Sequence, residues 1–168
     1  MPKYPLEDLL RVRRFREEAA ATEAMLRRRA VVEAEEDLQS RKRELEEYTH
    51  WRIRREAELY DQILGQQIQM KELDDLKLNV QILRAREDAY REQILTAKKT
   101  LADAETALTQ ATALHQTTVK DRQKIDEHRR MWQGEMEREA EARQEIELED
   151  FRVRLIEEDD LQEEAIYG

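Results

Sequence analysis

Cysteine is absent, so the chain can build neither a disulfide nor a thiolate metal site. Proline occurs 2 times, both within the first five residues, and glycine only 3 times in 168 residues, which leaves little to stop a helix. Aromatic residues make up 5% of the chain and charged residues 42%, a poor supply for an ordinary globular core. No apolar run approaches the roughly 20 residues needed to span a bilayer. The opening MPKYPLEDLLRVRR also lacks the apolar centre of a secretory signal. These absences predict a soluble, cytoplasmic chain without membrane insertion.

What remains is dominated by Ala, Glu, Leu and Arg, the profile of a coiled coil or long helix. Disorder is the competing reading of so polar a chain, but the scarcity of Pro and Gly and a regular apolar spacing oppose it. The net charge of −10 is uneven: residues 135 to 168 hold 14 acids against 4 arginines, so the first 134 residues are neutral. Basic clusters such as Arg27, Arg28 and Arg29, or Arg52, Arg54 and Arg55, are interleaved with acids. Interleaving marks a solvated helix face with i,i+4 pairs. A phosphate footprint requires a net basic stripe, so nucleic acid is not expected as a partner.

Pro5 suits the first helical position, and Glu7 and Asp8 put negative charge at the positive end of the helix dipole. From about residue 6 to 64 nothing breaks the helix. Leu10, Ala24, Val31, Leu38, Leu45 and Leu59 share one seven-residue series, with Glu17 and Arg52 as its exceptions. A second stripe with Phe15, Met25, Val32 and Trp51 drifts around the helix. Core packing is the expected role of Trp51.

From about 71 to 163 the signal is stronger. A seven-residue series runs Leu76, Leu83, Tyr90, Ala97, Ala104, Ala111, Thr118, Ile125, Trp132, Glu139, Ile146, Val153, and 10 of its 12 members are apolar. Val80, Glu87, Ile94, Leu101, Leu108 and His115 accompany it four residues on, completing a narrow a/d seam. A helix with so narrow a seam is not stable alone and needs a partner. Between the two segments lies ILGQQIQMKELDD, where Gly65 can take the left-handed conformation that ends a helix. The alternative, a tolerated glycine in a continuous helix, costs about 1 kcal/mol. The expected fold is all-α: a long antiparallel two-helix coiled-coil hairpin, one domain over 1–168, with a tip at about 65–71. Pairing across that tip sets residue 6 opposite about residue 130. The last 30 or so residues then project as a C-terminal helix with an apolar stripe on an acidic background, the look of a partner-binding element.

Chemistry of the enzymatic kind has no foothold in this pattern. There is no glycine-rich phosphate loop and no Gly-x-Ser-x-Gly elbow. His50, His115 and His128 are too far apart for a helical metal site. No enzyme activity, catalytic residue, metal or cofactor is expected. The open functional classes are an interaction protein and a self-associating structural coiled coil, such as a parallel dimer used as a scaffold. The latter would stack each acidic C-terminus against its copy at a cost in repulsion.

Three segments carry a family likeness. KYPLEDLLRVRRFREEAA at the start resembles the N-terminus of the YscO/FliJ-type central stalk proteins of type III secretion, most closely the chlamydial members. QMKELDDLKLNVQIL, residues 69 to 83, resembles their segment after the hairpin tip. HRRMWQGEMEREAEARQEIELEDF, residues 128 to 151, resembles their C-terminal stretch, although Glu147-Leu148-Glu149-Asp150 stands where the family often has Glu-x-Asp-Glu. The resemblance implies a non-enzymatic stalk, monomeric by itself, linking a hexameric export ATPase to the membrane export gate protein and handling export chaperones at the cytoplasmic face of the apparatus. By the same analogy the ATPase-binding residues are Leu6, Leu9, Leu10, Phe15, Trp132, Met136, Glu145, Glu147 and Glu149. The gate-facing tip residues are Ile68, Met70, Leu73 and Leu78.

Overall fold

Residues 2–167 are described by a computed structural model. Among them are two helices, α1 (Glu7–Asp61) and α2 (Met70–Tyr167), and no strand. They form a helical hairpin, as the broken heptad pattern predicts.

The ends of the helices follow local chemistry. Pro5 and Leu6 lie in a turn, where the Glu7 N–H donates to the Tyr4 carbonyl (3.3 Å) and the Leu10 N–H to the Leu6 carbonyl (2.9 Å). Glu7 and Asp8 occupy the first helical turn, beside the unpaired amides. At the far end α1 stops at Asp61 and not at Leu64. The Ile63 and Leu64 N–H groups both reach the Tyr60 carbonyl (3.2 Å each), and the Gln66 N–H reaches Ile63 (3.2 Å), so the last turn tightens before the chain reverses. Gly65 sits at φ +74° with open space where a Cβ would stand. Backbone conformation, and not crowding, is what demands glycine there. The Gln69 carbonyl then accepts from Glu72 (3.0 Å) and Leu73 (3.3 Å) to open α2, which runs to Tyr167 and so past the expected end near 163.

The chain divides into two compact units: Ala19–His115, and the two ends up to Glu18 and from Gln116. In the first unit α1 and α2 pack antiparallel. Leu38, Ile94 and Ala97 make its core cluster, with Leu45 and Leu101 packed against it. Ala20, Ala24 and Ala34 on α1 and Leu76, Val80 and Ala111 on α2 are buried along the same seam. Alternation of alanine with Leu or Ile lets the backbones approach while larger side chains fill the gaps. Tyr48 is buried, donates its hydroxyl to the Leu83 carbonyl (2.7 Å) and lies against the Tyr90 ring at 4.8 Å between centroids.

The heptad exceptions meet each other. Arg52 pairs with buried Glu87 across the seam and with Glu56 at 2.8 Å on its own helix. Arg84 reaches Glu56 (3.2 Å), Arg91 reaches Glu87 (2.9 Å), and the Thr49 hydroxyl donates to Glu87 (3.4 Å). Arg52, Glu56 and Glu87 are thus shielded from solvent at the centre of a charged layer whose outer members, Arg84 and Arg91, are exposed.

Trp51 departs from its expected core role. It is 43% exposed and rests on the Tyr48 ring at 5.6 Å. Phe15, Met25 and Val32 of the same drifting stripe are exposed too. One helix partner covers only the narrow strip of α1 that faces it, so a second stripe stays in solvent.

Candidate functional site

Tyr4 precedes α1 yet is buried, because its ring lies against Trp132 (5.4 Å between centroids) and His128 (5.8 Å) of α2. The Tyr4 hydroxyl is 2.7 Å from His128 Nδ1. Burial pushes the Tyr4 phenol above its ordinary value, against the pull of nearby Arg129. Arg129 pairs with Glu7 at 3.4 Å, close to the register read from the sequence.

Further along this unit the partners are charged. Arg13 meets Asp121 (3.2 Å) and Arg14 meets Asp126 (3.3 Å). Arg122 holds Glu17, the second heptad exception of α1, and also Asp126 (2.6 Å). Burial would raise the Asp126 carboxyl, but hydrogen bonds and charge from Arg122 and Arg14 outweigh it and hold it below the ordinary carboxylate range. The end of the hairpin is therefore pinned by a Tyr-His-Trp contact and a ladder of ion pairs.

Beyond this clamp α2 continues alone. Every described side chain from Glu137 onward is exposed, including Glu145, Glu147 and Glu149. Ile146, Leu148, Phe151, Val153, Leu155 and Ile156 stand in the same bare stretch, 46–62% exposed.

The residues singled out from the sequence divide by exposure. Phe15 is 71% exposed, Leu9 is partly open, and Leu6, Trp132 and Met136 are half-buried around the clamp. Leu10 is fully buried at 0% exposure, so its side chain is not open to a partner. Of the tip residues, Met70 and Leu78 are exposed and Ile68 and Leu73 half-buried, with Leu64 also bare beside them. Tyr4, Glu7, Arg122 and His128 belong to this end of the molecule, and the sequence pattern does not reveal them as a group. Tyr4 lies outside the helical periodicity, while Glu17 shows only as a gap in the heptad.

The concave places on the surface are shallow and open, as along Gln144, Glu147, Leu148 and Phe151. Among the described residues no three His, Asp or Glu side chains are grouped to hold a metal ion. No described helix is long and apolar enough to cross a membrane.

The described residues thus form a helical hairpin with a charged clamp and an exposed extension of α2. The family model of the type III secretion protein YscO matches residues 6–154, and the chain belongs to that family. It is thus a component of type III secretion. The crystal structure of YscO from Vibrio parahaemolyticus is similar at TM-score 0.79 and 25% identity, over 87% of this chain and 92% of that one. A YscO homologue from Chlamydia trachomatis shares the fold at TM-score 0.74 and 22% identity, over 96% of this chain and 99% of that one. No curated protein sequence matches significantly.

Proposed function

We propose that the chain is a non-enzymatic central stalk of a type III secretion export apparatus at its cytoplasmic face. Its open end engages a hexameric export ATPase, and its tip, through Ile68, Met70, Leu73 and Leu78, faces the membrane export gate. Catalysis belongs to the ATPase. The observation that supports this reading most is the extension of α2, bare from Glu137 onward and rich in both acids and large apolar residues, in a member of the YscO family. Such a helix without a partner leaves apolar area in water that binding would cover. Leu9, Phe15, Trp132 and Met136 belong to the same end of the molecule, and Glu145, Glu147 and Glu149 lie along the extension. Handling of export chaperones fits the exposed Met25, Leu26 and Val32 of α1.

Titration of the export ATPase with the full chain tests the reading, with binding and ATP hydrolysis as readouts. Binding of the unmodified chain is expected, and reversal of charge at Glu145, Glu147 and Glu149 should weaken it. Unchanged binding by the reversed variant would sink the assignment of these three residues.

A further inference from the structure

Glycine is scarce in this chain, and the two described glycines stand at different kinds of place. Gly65 follows α1 at a positive φ that suits glycine. Gly134 has no such reason. It lies inside α2, which runs unbroken through it, and its φ is not positive. A Cβ added there would meet only the Arg138 guanidinium, at 3.8 Å, an ordinary contact. Alanine would therefore fit both the backbone and the space, and it would favour the helix more. Neither conformation nor packing accounts for the glycine.

The place of Gly134 supplies a reason. It comes just after Trp132, whose ring contact with Tyr4 belongs to the clamp, and just before Glu137, where the bare stretch begins. The last ion pair before it joins Arg129 to Glu7, and the first after it joins Arg143 to Glu139. Among the described residues no ion pair bridges the two sides. Arg130 and Arg138, one helical turn to either side, meet a glycine where an acid would complete an i,i+4 pair. So α2 has its least committed backbone residue where its held and unheld parts meet.

We propose that Gly134 is a joint: α2 bends there, and the extension swings as a stiff arm while the clamp stays closed. Glycine lowers the cost of the φ/ψ change that a bend requires, and hinges are built from a few such positions. A partner bound along the arm then needs no fixed angle to the clamp. The inference concerns the free chain and does not depend on which partner binds.

Distances between spin labels test it. The chain has no cysteine, so labels attach only where cysteine is introduced. Three pairs of exposed positions, each 21 residues apart, separate the alternatives. Lys77→Cys with Lys98→Cys lies in the seam-backed part, Gln123→Cys with Gln144→Cys spans Gly134, and Glu141→Cys with Gln162→Cys lies within the extension. A straight helix puts each pair about 32 Å apart. The first and third pairs should give narrow distributions near that distance. The pair across Gly134 should be broader and reach shorter distances, and Gly134→Ala should narrow it to match the first. Circular dichroism checks that each variant folds. A narrow distribution across Gly134 without the alanine change would show a rigid helix and overturn the joint. Breadth that survives Gly134→Ala, or a third pair as broad as the second, would spread the motion along the whole extension and overturn it too.

Discussion

Arg52 and Glu87 each stand where a heptad calls for an apolar side chain, and they face each other across the seam. Removing one of them leaves the other with only part of its pairing, Arg52 with Glu56 or Glu87 with Arg91 and Thr49, in a place where water reaches poorly. Glu87→Ala should therefore cost about 2–3 kcal/mol. The paired change Arg52→Leu with Glu87→Leu should be neutral or stabilising, because it replaces desolvated charge with packing. Thermal unfolding of the two variants checks this, and equal losses in both would show that the charges are not coupled. Acid sensitivity belongs to the same scale. Burial raises the Glu56 carboxyl, but hydrogen bonds from Arg84 and Arg52 prevail and hold it low, as Arg122 and Arg14 do for Asp126. A carboxyl with a depressed folded-state pKa adds stability that is complete above its unfolded pKa and vanishes as pH falls through the folded one. Stability measured by denaturant titration should thus decline below about pH 4. Glu56→Gln with Asp126→Asn should flatten that decline. The sequence shows both gaps in the α1 heptad but not their partners: Glu87 and Arg122 are distant in the chain, and nothing local matches a given glutamate to a given arginine.

At the scale of the element, the two ends of α2 differ in what supports them. Leu76 to Trp132 is backed by the seam, whereas the stretch from Glu137 has its own backbone bonds and local pairs such as Arg143 with Glu139 (3.7 Å). A proline in each part separates them. Ile94→Pro removes a hydrogen bond and kinks the helix inside the core cluster, costing about 3 kcal/mol or more. Ile146→Pro breaks the helix where nothing packs on it, and the melting midpoint should hardly move. Equal midpoints for both variants would contradict a core confined to the paired part. The seam itself is legible in the sequence, since the seven-residue series from Leu76 to Trp132 and its companion from Val80 to His115 are buried or half-buried throughout. The drifting stripe through Phe15, Met25, Val32 and Trp51 is just as apolar and yet stays exposed. Periodicity reveals which residues share a face, but only the presence of a second helix decides which face is covered.

For the whole molecule, a hairpin supplies its own partner helix and needs no second chain to cover its seam. Light scattering on the purified protein should give the 20.2 kDa mass of one chain, and a stable dimer would favour the self-associating scaffold instead. The charge distribution points the same way, because the net −10 is concentrated in the acidic C-terminal region while the rest of the chain is neutral.

The sequence by itself determined the two helices and which residues share a face on each, and it favoured a reversal at Gly65 over a continuous helix. A chain without internal proline, with a heptad on each side of one glycine, has few other ways to hide its apolar residues. It also marked the acidic C-terminal stretch as different, since composition alone shows that. Only the tertiary structure decided that Tyr4 clamps onto Trp132 and His128, that Leu10 is enclosed and Phe15 is not, and that Arg52 finds Glu87. Those outcomes depend on register between segments far apart in the chain, and register is set by the summed fit of the whole seam and not by any residue within it.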